Sequence, residues 1–95
     1  MAAYVVLMRE KMHDPAEFAT YSKMAPGAMT GHAASVLAAY GRHETLEGEP
    51  VEGVVVISFP TYVEAKAWYD SPAYTAAREH RFKGADYRTV IVEGL

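Results

Sequence analysis

The chain has 95 residues, 51% of them apolar, and nine Lys and Arg against twelve Asp and Glu give a net charge of −3. That length fits one domain with a single core, and the acidic balance argues against a nucleic-acid partner, whose phosphates need clustered bases. There are no cysteines, which excludes disulfides and thiolate zinc sites.

Tyr4-Val5-Val6-Leu7-Met8 is β-rich and runs into the charges Arg9, Glu10 and Lys11, so it predicts a first strand. His13-Asp14-Pro15-Ala16-Glu17 starts a helix, with Asp14 as N-cap, Pro15 in the first turn and Glu17 placed to complete a capping box. Phe18, Tyr21 and Met24 or Ala25 continue at helical spacing until Pro26-Gly27, where a kink or break is expected, and Gly31 is the terminator. Ala33 to Tyr40 must supply a second strand, and an acidic hairpin loop follows from Gly41 to Pro50. Val51 to Phe59 is the clearest strand. Pro60 stops it, and Thr61-x-x-Glu64 opens a helix carrying Ala65, Trp68 and Tyr69. Ser71-Pro72 repeats the cap-and-proline device for a helix through Tyr74, Ala77 and Arg81 to Gly84, before a last strand from Tyr87 to Glu93.

The order β-α-β-β-α-β, its second helix in two pieces, predicts an α+β, ferredoxin-like domain over residues 1–95. In that fold a four-stranded antiparallel sheet carries the helices on one face. Along the strands Val5 and Leu7 oppose Tyr4, Val6 and Met8. Val54 and Val56 oppose Val55, Ile57 and Phe59, and Val90 and Val92 oppose Thr89 and Ile91. Both faces are therefore apolar, whereas a sheet with one wet face alternates with polar residues. Helices cover one side, and a second copy is the simplest cover for the other. The expectation is a homodimer through the open sheet face, burying more than about 1,000 Å² in total.

The blocks Val51-Glu52-Gly53-Val54-Val55-Val56-Ile57, Phe59-Pro60-Thr61, Ala67-Trp68-Tyr69-Asp70-Ser71-Pro72-Ala73-Tyr74 and Val90-Ile91-Val92-Glu93-Gly94 resemble the bacterial domain-of-unknown-function family numbered 1330. With Tyr4, Tyr21 and Gly41 the resemblance spans almost the whole chain, though many relatives have Gly-Gly where this chain reads Gly41-Arg42. It implies ferredoxin-like domains paired into a dimeric α+β barrel. It implies no reaction, because the wider superfamily mixes cofactor-independent monooxygenases, isomerases, haem-dependent enzymes and proteins without known catalysis.

Candidate chemistry is sparse. His80 is suited to acid–base work and Arg81 to holding a carboxylate or enolate; the plainer alternative pairs Arg81 with Asp70 or Asp86. Trp68, Tyr69 and Tyr74 are candidates to line an aromatic pocket, with Trp68 as buried anchor and Tyr74 presenting its hydroxyl. Ordinary core packing explains the same spacing. His43 and Glu47 lie on the hairpin loop, either over a ligand cleft, where imidazole and carboxylates suit proton transfer, or simply in solvent. His13, His32, His43 and His80 have no metal-ligand spacing, and no phosphate loop or nucleophile elbow is present. Neither a metal nor a cofactor is expected.

Two functions follow. One is a dimer that binds a small organic acid or aromatic ligand in a helix–sheet cleft. The other is a small cofactor-independent enzyme, isomerase or monooxygenase-like, with His80 as acid or base, Arg81 as anion clamp, and Tyr69 and Tyr74 as donors. Met1-Ala2-Ala3-Tyr4 has no basic segment, so no signal peptide is expected, and no apolar run approaches the roughly 20 residues of a membrane span. Cytoplasmic residence is the expectation, and the absence of cysteine suits a reducing compartment.

Overall fold

The computed structural model describes residues 1–95. β1 (Ala3–Met12) leads to α1 (Pro15–Ala28), β2 (Ser35–Ala39), β3 (Gly53–Phe59), α2 (Tyr62–Tyr69), α3 (Pro72–Gly84) and β4 (Ala85–Glu93). The strands form one antiparallel sheet in the order β2-β3-β1-β4. This is the ferredoxin-like α+β fold read from the element order.

The helix starts follow their local chemistry. The Asp14 carboxylate accepts from the Ala16 and Glu17 N–H groups at 3.1 and 3.3 Å. Glu17 does not close the expected box. Its carboxylate turns to His80 Nδ1 at 2.7 Å, and the Asp14 N–H donates instead to the Gly84 carbonyl at 3.0 Å. Thr61 Oγ1 accepts from the Glu64 N–H, and Ser71 Oγ accepts from the Tyr74 N–H while donating to the Trp68 carbonyl.

β2 is shorter than expected, β3 starts two residues later and β4 two residues earlier, and two further boundaries differ in ways that matter for the packing. β1 continues through its charges to Met12, with a bulge between Arg9 and Lys11. Arg9 remains compatible with the helix-facing side because its guanidinium lies over the rings of Phe18 and Tyr40, 5.0 and 5.2 Å from their centres, and bonds Glu52 at 3.2 Å. α1 passes through Pro26 and ends at Ala28, so the proline disturbs only the last turn, where the Met29 N–H closes onto the Pro26 carbonyl. Gly31 then turns the chain with φ +85°. Beyond β2, Tyr40 also takes a positive φ, +56°, and its ring lies over Gly53, where a Cβ would stand 2.5 Å from it.

The two sheet faces separate as the alternation predicts. Ala3, Val5, Leu7, Ile57 and Phe59 are buried beneath the helices with Phe18, Ala65, Trp68, Tyr74 and Ala77. On the other side Val6 pairs with Val56 and Val90, and Met8 with Val54. Nothing in the chain covers that side, and Val90 and Val92 are half exposed.

Gly84 fixes how α1 crosses α3. A Cβ there would stand 2.7 Å from the Phe18 backbone nitrogen, and main chain cannot yield as a side chain does. Gly84→Ala should therefore push the helices apart and cost about 1–3 kcal/mol, lowering the melting temperature by several degrees in calorimetry.

Candidate functional site

Between α1, the sheet and the α2–α3 corner lies a cavity of about 400 Å³ lined by 13 residues, 11 of them hydrophobic. Its deep wall is buried: Leu7, Ile57, Tyr21, Trp68 and Tyr74. Its rim is exposed, with Pro26 from α1 and Val36, Ala39 and Tyr40 from β2 and just beyond. The volume and lining are typical of a small-molecule pocket.

The polar groups of this wall are few and specific. Tyr21 and Tyr74 share a hydrogen bond between their hydroxyls at 2.8 Å. The Trp68 ring lies against Tyr74, tilted by 33° with centres 4.1 Å apart, and its indole N–H is buried with no acceptor in the chain. Arg81, only 2% exposed, lies behind the wall. Its guanidinium is 4.7 Å from the centre of the Tyr87 ring and 5.9 Å from that of Tyr21, and it reaches Thr89 Oγ1 only at 3.4 Å. Nearby, Tyr87 shares a hydrogen bond with Tyr40, hydroxyl to hydroxyl.

Burial pushes the Tyr21 and Tyr74 hydroxyls above their ordinary value of 10.0. Tyr74 adds to the rise at Tyr21, whereas the charge of Arg81 pulls both back. Tyr87 is raised by burial and by its bond to Tyr40. All three therefore stay neutral near pH 7 and act as donors or acceptors rather than phenolate bases.

The sequence-derived candidates scatter across the molecule. Trp68 and Tyr74 line the cavity together. Arg81 does not pair with either predicted acid, because Asp70 bonds Lys66 and Asp86 bonds His13, each at 2.8 Å. His80 sits at the seam of α1 and α3, bonded to Glu17, and is not among the cavity residues. Tyr69 borders a separate groove of about 240 Å³ between α2 and β4, and the Arg78 guanidinium lies 4.2 Å from its ring centre. His43 presents both ring nitrogens to backbone carbonyls, of Gly41 at 3.2 Å and Val51 at 3.0 Å, so it ties the base of its own loop. Glu47 is exposed on that loop. No group of three His, Asp or Glu side chains is placed to hold a metal.

Sequence reasoning missed Tyr21 and Tyr40 as cavity residues. Tyr21 carried a usable signal, one turn before Ala25 and two before Met29 on the same side of α1. Tyr40 carried none, since its position depends on a left-handed backbone that its neighbours do not announce.

Taken together, a four-stranded sheet under one layer of helices with a cavity between them defines a ferredoxin-like α+β protein. A family model described as domain of unknown function (DUF1330) matches residues 2–95, and the chain belongs to that family. No curated protein matches it. Among solved structures, a Rhodopseudomonas palustris protein of unknown function is similar at a TM-score of 0.74 and 17% identity, over 99% of this chain and 82% of that one. A dimeric ferredoxin-like protein of unknown function from Thermobifida fusca is similar at 0.67 and 14%, over 99% and 92%. A cofactor-independent oxygenase from Streptomyces nogalater is similar at 0.58 and 11%, also over 99% and 92%. At such identities the likeness is one of fold.

The buried hydroxyls predict an alkaline limit. Above pH 10.0 the unfolded chain releases protons that Tyr21 and Tyr74 retain when folded, so stability contributed by these groups is intact below that pH and declines above it. The slope should be about 1.4 kcal/mol per pH unit for each group. Melting curves recorded from about pH 9 to about pH 11 should fall accordingly, with part of the phenolate absorbance appearing only on unfolding.

Proposed function

We propose that this chain works as a homodimer, joined through the open face of its sheet, and binds a small organic acid or aromatic molecule in the helix–sheet cavity. The observation that carries the binding reading is the cavity itself, about 400 Å³, apolar along most of its wall and bordered by the Tyr21–Tyr74 pair. A well-packed core leaves few voids larger than a water molecule, so an opening of this size needs an explanation that packing does not give.

The dimer reading is supported by the uncovered stripe of Val6, Met8, Val54, Val56, Val90 and Val92, since monomers rarely expose apolar patches of several hundred Å². No helix is long and apolar enough to cross a membrane. Residence in a bacterial cytoplasm is part of the same proposal and is supported by the cysteine-free composition.

The alternative is a cofactor-independent enzyme in which His80 acts as acid or base. The Glu17 carboxylate holds that imidazole as an orienting group would, but the pair stands apart from the cavity. His80→Ala separates the two readings, because the binding reading expects ligand affinity to be unchanged.

Light scattering should give about twice the 10.4 kDa chain mass, and Val56→Asp should reduce it to single protomers. A lone species in the unaltered protein would remove the dimer. In a thermal-shift series with small acids and phenols, about 1,000-fold excess over the dissociation constant should stabilise by about 4 kcal/mol. A melt that no compound moves would remove the binding reading.

A further inference from the structure

Tyr40 is the one residue other than glycine with a positive φ, +56°. A bulky side chain keeps that left-handed backbone only where its surroundings hold it there. A turn after β2 would be served as well by Gly or Asn, which take the same φ at less cost, so the ring itself needs a reason. It is firmly held. The Tyr40 N–H donates to the Val54 carbonyl at 2.9 Å, and its hydroxyl shares a bond with that of Tyr87. The Arg9 guanidinium lies 5.2 Å from its ring centre, and the Phe18 ring meets it edge-on at 6.3 Å. Gly53 omits the Cβ that would collide with it. Its place matters as much. Tyr40 lines the cavity, whereas Arg9, Phe18, Gly53 and Tyr87 do not. One part of the side chain borders open space, and the rest is anchored among residues the cavity does not reach.

We infer that Tyr40 is the end wall of the cavity and sets the length of the molecule it takes, a compact aromatic on the scale of two fused rings. The inference rests on the cavity being a binding site and goes further by naming the size of what enters and the residue that imposes it. The scale follows from volume. A dry apolar cavity of about 150 Å³ takes one benzene ring. At about 400 Å³, with part of that space at an exposed rim, this cavity has room for two fused rings. The wall is stiff, because the ring cannot swing aside without giving up the Tyr87 bond and its seat over Gly53. It therefore selects by excluding longer molecules rather than by adapting to them.

The test is a titration, by thermal shift and by proton NMR, of phenol, 2-naphthol and 4-phenylphenol, which carry the same hydroxyl and differ in length. In the unaltered protein 2-naphthol should bind tighter than phenol, and 4-phenylphenol no tighter than phenol because its second ring finds no room. Tyr40→Gly keeps the left-handed backbone and opens the space toward Phe18. Burial of the second ring should then tighten 4-phenylphenol by about tenfold or more. Tyr40→Phe, which keeps the wall and loses only the hydroxyl, should preserve the parent order. If Tyr40→Gly does not fold, Tyr40→Asn carries the same expectation. A folded glycine or asparagine variant with the parent order would overturn the inference, as would a parent protein that binds 4-phenylphenol as tightly as 2-naphthol. Either result leaves the cavity a binding site. If none of the three phenols binds, the inference and the binding reading fall together.

Discussion

A strand has two sides, and in β1 both are apolar: Ala3, Val5 and Leu7 turn one way, Tyr4, Val6 and Met8 the other. The pairing of Val5 with Ile57 and Ile91, and of Val6 with Val56 and Val90, carries this division across the centre of the sheet. A single layer of helices covers one side only. The rest of the molecule is arranged around that limit. The covered side provides the core and the cavity, and the uncovered side keeps its valines open.

On the covered side the helices are held unevenly. The N-terminal end of α1 is drawn against α3 where Phe18 meets Gly84, and the His13 and Asp14 N–H groups both donate to the Gly84 carbonyl. At the other end, Ala25, Pro26 and Met29 border the cavity rather than a packed neighbour. Large rings stand beside small residues here: Trp68 and Tyr74 are fully buried, as are Ala65 and Ala77. The tilted rings of Trp68 and Tyr74 stand between the helices and the cavity beside β3.

Much of this was readable from residues, and the reason is local. Asp14-Pro15, Thr61 and Ser71-Pro72 act within a turn of themselves, so three helix starts were legible, and strand alternation exposed the two faces. What escaped was long-range. Glu17 looks like a capping residue until α3 brings His80 within 2.7 Å, 63 positions away. The Tyr21–Tyr74 bond spans 53 positions and joins the pocket candidate Tyr74 to a tyrosine that reads only as part of a helix face. Arg81 reads either as a clamp for an anion or as one half of an ion pair with Asp70 or Asp86. Only the fold reveals that its surroundings are aromatic. Tyr40 was unreadable for a different reason, since a left-handed tyrosine follows no spacing rule.

The chain has one tryptophan, and it forms part of the cavity wall at 1% exposure, with its ring against Tyr74. Emission from that indole is therefore single-source, dry and sensitive to whatever replaces empty space beside it. An optical gauge is built into the protein where it is wanted, and it needs no label.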